Sequence, residues 1–324
     1  MYSKSRADAI SKGEISAVEG KLIKHILGGP SMNLLEHLKE IQLKKRTSLC
    51  IGIDPDPKLI NIVDVYPFIR RIIDNTKDLV CAYKFNLAFY HALGLGAVHD
   101  LYRILEETRL GREELKYQNM YPCINDLEDV IFIADGKFNG IPNETSMYAK
   151  AIFEKANFDA CTVNPYCGLD SIQSFMQYSD KAVFVLCHSS NFGAKGLESK
   201  RGFQHLQHNG KFVYQYVAEE VESFADIHSY KNVGLILGAT YPIETAHLTK
   251  QVTLPILLVG IGYQGGAPHI IPSFGNIFNI SRSITYLSSS SSSANLTASK
   301  IREQAIYYRD LVSTWTNTKI NTII

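Results

Sequence analysis

Eight short apolar runs rich in β-branched residues recur along this chain, at 48–54, 79–86, 130–137, 160–164, 182–188, 233–239, 256–261 and 277–281. Continuous apolar runs of this length suit strands covered on both faces, as in a parallel sheet. Parallel neighbours need crossovers, and helical patterns at 65–75, 144–155, 213–224 and 299–313 fall between or after the runs. That beat favours closure over an open sheet, so an α/β fold is expected: one (β/α)8 TIM barrel. With 324 residues, 45% of them hydrophobic, the chain has ample apolar material for such a core.

Three segments depart from the beat. Residues 1–31 read as an N-terminal extension of unknown role. The barrel domain is expected over 32–324, where Met32 opens a helical stretch carrying Leu34, Leu35, Leu38 and Ile41. Residues 106–128 are long for a connection and suggest a surface excursion, and the serine run 288–293 reads as a loop before the last helix.

Composition removes several functions. The formal charge is +1 with acids and bases interspersed, which gives no basic face for a nucleic acid. No stretch approaches the roughly 18 apolar residues of a membrane span, and the N-terminus lacks a signal-peptide pattern, so a soluble cytoplasmic protein is expected. Cys50, Cys81, Cys123, Cys161, Cys167 and Cys187 lack CxxC spacing and read as reduced core thiols. His205 and His208 share a helical spacing without a third ligand, so no metal is expected. The aromatic residues Phe85, Phe89 and Tyr90 are expected to pack between barrel and helices.

Barrel enzymes place their chemistry at the C-terminal ends of the strands. Asp54, Lys84, Asp135, Lys137, Asn164, Ser189 and Ser190 all end apolar runs. In the segment Ile133-Ala-Asp-Gly-Lys-Phe-Asn-Gly-Ile141, Asp135 and Lys137 lie two residues apart and so on one strand face, while Lys84 ends the neighbouring run. Three charges of alternating sign are thus expected to meet. Glycines 260, 262, 265 and 266 follow the seventh run, and Arg282 follows the eighth. Loops at these two positions commonly bind phosphate, with glycine allowing close backbone approach and arginine a bidentate charge.

Taken in order, these motifs resemble those of the orotidine 5′-monophosphate decarboxylase family, its longer bacterial and protozoal branch, from about Met32 onward. Ile51-Gly-Ile-Asp-Pro-Asp56 resembles the first-strand motif, which implies that Asp54 contacts ribose. Lys84 matches the first active-site lysine, and Asp135 and Lys137 match the D-x-K pair, with Lys137 implied as the proton donor. Cys161-Thr-Val-Asn-Pro-Tyr166 and His188-Ser-Ser-Asn191 resemble segments beside the base, which brings in Asn164, Ser189 and Ser190. Gly260-Ile-Gly-Tyr-Gln-Gly-Gly266 and Asn279-Ile-Ser-Arg-Ser283 resemble the phosphate grip, with Gln264, Ser281 and Arg282 as contacts. The resemblance implies a cofactor-free carboxy-lyase that forms UMP and works as a homodimer.

One position departs. The family motif D-x-K-x-x-D-I carries a second aspartate that reaches across the dimer to complete an alternating array, and this chain has Gly140 there. Nearby, Glu144 or, after a one-residue shift, Thr145 stands where the family tends to place a small hydroxyl residue. Three readings follow: a working decarboxylase, a diverged enzyme acting on another pyrimidine nucleotide or sugar phosphate, and a non-catalytic nucleotide-binding protein. Retention of Asp54, Lys84, Asp135 and Lys137 argues against the third.

Overall fold

Each of the eight apolar runs forms a strand, and the strands close on themselves. The computed structural model describes residues 33–59, 62–109, 130–194, 211–266, 271, 275–286 and 297–320. Its strands are β1 (Leu49–Gly52), β2 (Ala82–Asn86), β3 (Ile131–Phe138), β4 (Ala160–Val163), β5 (Ala182–His188), β6 (Val233–Gly238), β7 (Ile256–Val259) and β8 (Ile277–Ile280). They pair in parallel in chain order, and β8 returns to β1 with Cys50 beside Asn279. The helices are α1 (Leu34–Lys45), α2 (Val65–Thr76), α3 (Leu87–Leu93), α4 (Leu95–Arg109), α5 (Pro142–Ala149), α6 (Leu169–Met176), α7 (Val213–Ile227), α8 (Pro242–Leu248), α9 (Arg282–Thr285) and α10 (Ala298–Ile320). The single helix expected over 144–155 is α5 followed by a π-helical turn, Lys150–Lys155.

Strand alternation divides the apolar residues into two clusters. Leu49, Ile51, Tyr83, Phe85, Phe132, Val163, Val185, Leu235 and Phe278 pack outward with helix residues such as Ile69, Ile72 and Ile301. Cys50, Ala82, Ile131, Ile133, Ala160, Phe184, Ile236, Leu257 and Ile277 form a second cluster within the barrel. Leu34, Leu35, Leu38 and Ile41 of α1 belong to that inner cluster, so the amphipathic helix before β1 buries its apolar face against the barrel interior. Further along the strands the inward positions turn polar, with Lys84 after Ala82, Asp135 after Ile133, Thr162 after Ala160 and Asn279 after Ile277. This change of character along one face defines the chemical end of the barrel.

Cys50, Cys81, Cys161 and Cys187 are buried free thiols as expected, but Cys167 is exposed because it ends a 3-10 turn, Pro165–Cys167, outside the sheet. Among the described residues no helix is long and apolar enough to cross a membrane. Residues 1–31, the excursion beyond Arg109, the serine run 288–293, Cys123, His205 and His208 lie outside the described residues.

Candidate active site

The polar strand ends line one cavity of about 750 Å³, within the size range of small-molecule sites. Lys84, Asp135, Lys137, Asp54, Ser189, Ser190, Gln264, Ser281 and Arg282 all face it. Three charges are bonded in series at its centre. Lys84 Nζ donates to Asp135 Oδ2 at 2.7 Å, and Lys137 Nζ donates to Asp135 Oδ1 at 2.7 Å. The side chains of Lys84 and Asp135 are 5% and 7% exposed, whereas that of Lys137 is 42% exposed. Two members are therefore fixed in the wall, and the third is available to a ligand.

The electrostatics follow from this packing. Burial acts to neutralise Lys84, but the carboxylates of Asp135 and Asp54 outweigh it and hold the ammonium above the ordinary lysine range. Burial likewise opposes ionisation of Asp135, yet Lys84 and Lys137 hold its carboxyl well below the ordinary aspartate range. Burial pushes the nearby Cys50 thiol well up, so it stays neutral.

Asp135 and Lys137 reach one side by a route that strand periodicity does not describe. Strand β3 pairs regularly with β4 as far as Ala134, opposite Cys161, and next at Phe138, opposite Val163. Four residue steps on β3 thus oppose two on β4, so the Asp135-Gly136-Lys137 segment is a bulge. Lys137 has φ 45°, a left-handed conformation uncommon for a residue with a side chain. The amide of Lys137 donates to Thr162 Oγ1 at 2.9 Å, and Thr162 Oγ1 donates to Asp135 Oδ1 at 2.8 Å.

At the β1–β8 seam, Asp54 Oδ2 accepts from Ser281 Oγ at 2.7 Å and Asp54 Oδ1 accepts from the amide of Asn86 at 3.3 Å. Ser281 also lies 3.0 Å from Gly52 O, so its hydroxyl is engaged within the wall. A Cβ on Gly52 would lie 2.8 Å from Ser281 Cβ, which is why this seam needs a glycine. On the opposite side, Ser190 Oγ donates to Gln264 Oε1 at 3.2 Å. Arg282 stacks its guanidinium over Tyr263, 4.0 Å from the ring centroid. The glycine loop partly closes on itself, because the amides of Gly265 and Gly266 donate to Gly262 O and Gly260 O.

Asn164 is the predicted contact that the structure does not bring to this cavity. Its Oδ1 accepts from the amide of Tyr166 at 3.0 Å and caps the turn after β4, a use that its place at a strand end does not reveal. The aromatic group also divides: Phe85 and Tyr90 are buried in the outer core, while Phe89 lines the cavity. Sequence reasoning also passed over Thr162, a common strand residue without a distinctive signal. It missed Gln304 and Tyr308 as well, which sit four residues apart on one face of α10 and line the cavity from a distant helix.

Gly140 lies outside the cavity wall with φ 156°. A Cβ there would meet Glu144 Oε2 at 2.5 Å, and that same oxygen accepts from the amide of Ile141 at 3.2 Å. Thr145 is buried, with its hydroxyl on Ser171 O of α6, whereas Glu144 is exposed.

The chain has known relatives. Residues 47–295 match the sequence pattern of the Orotidine 5'-phosphate decarboxylase / HUMPS family. An orotidine 5′-phosphate decarboxylase of Dehalococcoides mccartyi (strain CBDB1) is 37% identical over 237 residues, 72% of this chain and 79% of that protein. Among solved structures, Leishmania donovani OMP decarboxylase superposes with a TM-score of 0.68 at 27% identity, covering 88% of this chain and 99% of that one. Leishmania donovani UMP synthase gives a TM-score of 0.70 at 28% identity over 88% of this chain, which spans only 57% of that longer protein. With the barrel, the polar strand ends and the matched span in agreement, the chain belongs to the Orotidine 5'-phosphate decarboxylase / HUMPS family.

Proposed function

We propose that this protein decarboxylates orotidine 5′-monophosphate to UMP without a cofactor. The observation that carries the reading is the Lys84–Asp135–Lys137 array, preorganised by two 2.7 Å bonds and with only Lys137 substantially open to the cavity. Decarboxylation breaks the C6–carboxylate bond, releases CO2 and leaves an electron pair on C6. Fixed positive charge stabilises that pair, and the ammonium of Lys137 delivers the proton that ends the reaction. Asp135 orients both lysines. Gln264 and Arg282 bind the 5′-phosphate, Asp54 binds ribose with Ser281 holding its carboxylate, and Ser189 and Ser190 face the base. Asn164 is left out of this contact set because its carbonyl caps a turn.

We assign the working unit as a homodimer. Support comes from Ile141, Met147 and Tyr148, which are 62%, 58% and 46% exposed on the loop and helix following the array. The carboxylate of Glu144, beside Gly140, is the charge this loop presents in place of an aspartate.

The decisive assay follows absorbance at the orotate band after orotidine 5′-monophosphate is mixed with purified protein. Loss of absorbance with UMP as product is expected. Tight UMP binding without turnover would overturn decarboxylation, and Gly140 would then favour altered chemistry on another pyrimidine nucleotide or sugar phosphate.

A further inference from the structure

We propose that Thr162 is a positioning residue that sets the reactive geometry of Lys137 from the neighbouring strand. The inference rests on the decarboxylase reading for its kinetic consequence, but its structural basis is independent. The bulge in β3 removes the Lys137 amide from the regular ladder with β4 and turns the residue to φ 45°. Such a backbone conformation stores about 1–3 kcal/mol and persists only where surrounding bonds over-determine it. Thr162 supplies those bonds. Its Oγ1 accepts the Lys137 amide at 2.9 Å and donates to Asp135 Oδ1 at 2.8 Å.

The same Asp135 oxygen accepts Lys137 Nζ at 2.7 Å. One ring therefore runs from the Lys137 amide through the Thr162 hydroxyl and the Asp135 carboxylate back to the Lys137 ammonium. It ties the backbone and the tip of one lysine to a single point. Thr162 is 1% exposed and lines the cavity, so water does not readily replace its hydroxyl. The hydroxyl also fixes the carboxylate rotamer: Oδ1 receives Thr162 and Lys137 while Oδ2 receives Lys84. Without it, Asp135 loses one of the three donors that fix its rotamer, and the part-buried Lys137 amide loses its protein acceptor. Ligand affinity depends on other strand ends, so the loss falls on turnover.

The test compares Thr162→Val, which keeps the shape and removes the hydroxyl, with Thr162→Ser, which keeps the hydroxyl. Thr162→Val should lower kcat by about 10- to 100-fold, the range for losing a hydrogen bond to a charged group, and leave KM within about twofold. Thr162→Ser should restore most of the rate. Hydrogen exchange at the Lys137 amide is read in parallel and needs no turnover: the valine variant should lose protection there and the serine variant keep it. Wild-type kcat in Thr162→Val, or unchanged Lys137 protection, would overturn the proposal. If wild type itself fails to decarboxylate, the function is wrong, and the exchange measurement still decides the role of Thr162. Should the valine variant not fold, Thr162→Ala with the same two measurements replaces it.

Discussion

Lys84 and Arg282 are both cations facing one cavity, yet the barrel treats them differently. Lys84 projects inward from β2, is 5% exposed in its side chain and is bonded to Asp135 before any ligand arrives. Arg282 begins a short helix after β8, is exposed and rests on the face of Tyr263, which is itself 55% exposed. The first end resembles a core that happens to be charged; the second resembles a surface waiting for an anion. Chemistry that relies on a fixed field needs the first arrangement, and reversible capture of a phosphate suits the second.

The contrast breaks most visibly at Lys84. Replacing it by alanine leaves the buried Asp135 with one of its two cations and no side-chain donor to Oδ2, and melting or denaturant titration should show a loss of about 3–5 kcal/mol. Arg282→Ala should change stability by less than about 0.5 kcal/mol, as expected for an exposed site. Calorimetry should instead show UMP binding weakened by about 1.5–3 kcal/mol, with uridine binding unaffected. Equal stability losses in the two variants would refute the division.

A smaller effect is expected in the loop after β3, at Gly140. Gly140→Asp should lower stability by about 1 kcal/mol, because φ 156° disfavours a side chain and Glu144 Oε2 lies where the new Cβ must go. Adding Glu144→Thr should recover part of that loss and raise kcat/KM above that of Gly140→Asp alone. No gain in the double variant would show that crowding by Glu144 is not what limits an aspartate here.

The smallest expected response is to pH. Asp135 has a depressed pKa, so its contribution to stability is present above the ordinary aspartate value of about 3.9 and is lost as pH falls through the folded one. Lys84 has a raised pKa, so its contribution is present below about 10.4 and is lost as pH rises through the folded value. Neither group should therefore make stability slope between about pH 5 and 9. A transition in that window abolished by Lys84→Ala would show that the array titrates.

Much of this architecture was legible in the sequence because buried strands leave a strong trace. The runs around Ile51, Tyr83, Phe132 and Val183 carry apolar residues toward both layers, and each ends where a polar side chain enters the cavity. The charges at Lys84, Asp135 and Lys137 were readable for the same reason. How Lys137 is aimed was not, because periodicity assumes a regular strand and the bulge depends on pairing with β4. The capping use of Asn164 was not readable, because a carboxamide at a strand end serves equally well as a contact or a cap. Gln304 and Tyr308 join the wall only through the docking of α10, which no local pattern encodes.

Asp54 and Ser281 are separated by 227 positions in the chain but bonded at 2.7 Å, and the Tyr286 hydroxyl donates to Asp54 O at 2.9 Å. These bonds lie along the seam where the first strand meets the last. As the chain leaves a ribosome, Lys84, Asp135 and Lys137 emerge early, but the seam stays open until β8 arrives. Contacts of such span are slow to form, and the ligand pocket is among the last features completed. A nucleotide that binds only the closed pocket then acts as a clasp on the seam, drawing the newly made chain toward its folded state by mass action. Conversely, a chain released before β8 carries Lys84, Asp135 and Lys137 and has no closed pocket in which to use them.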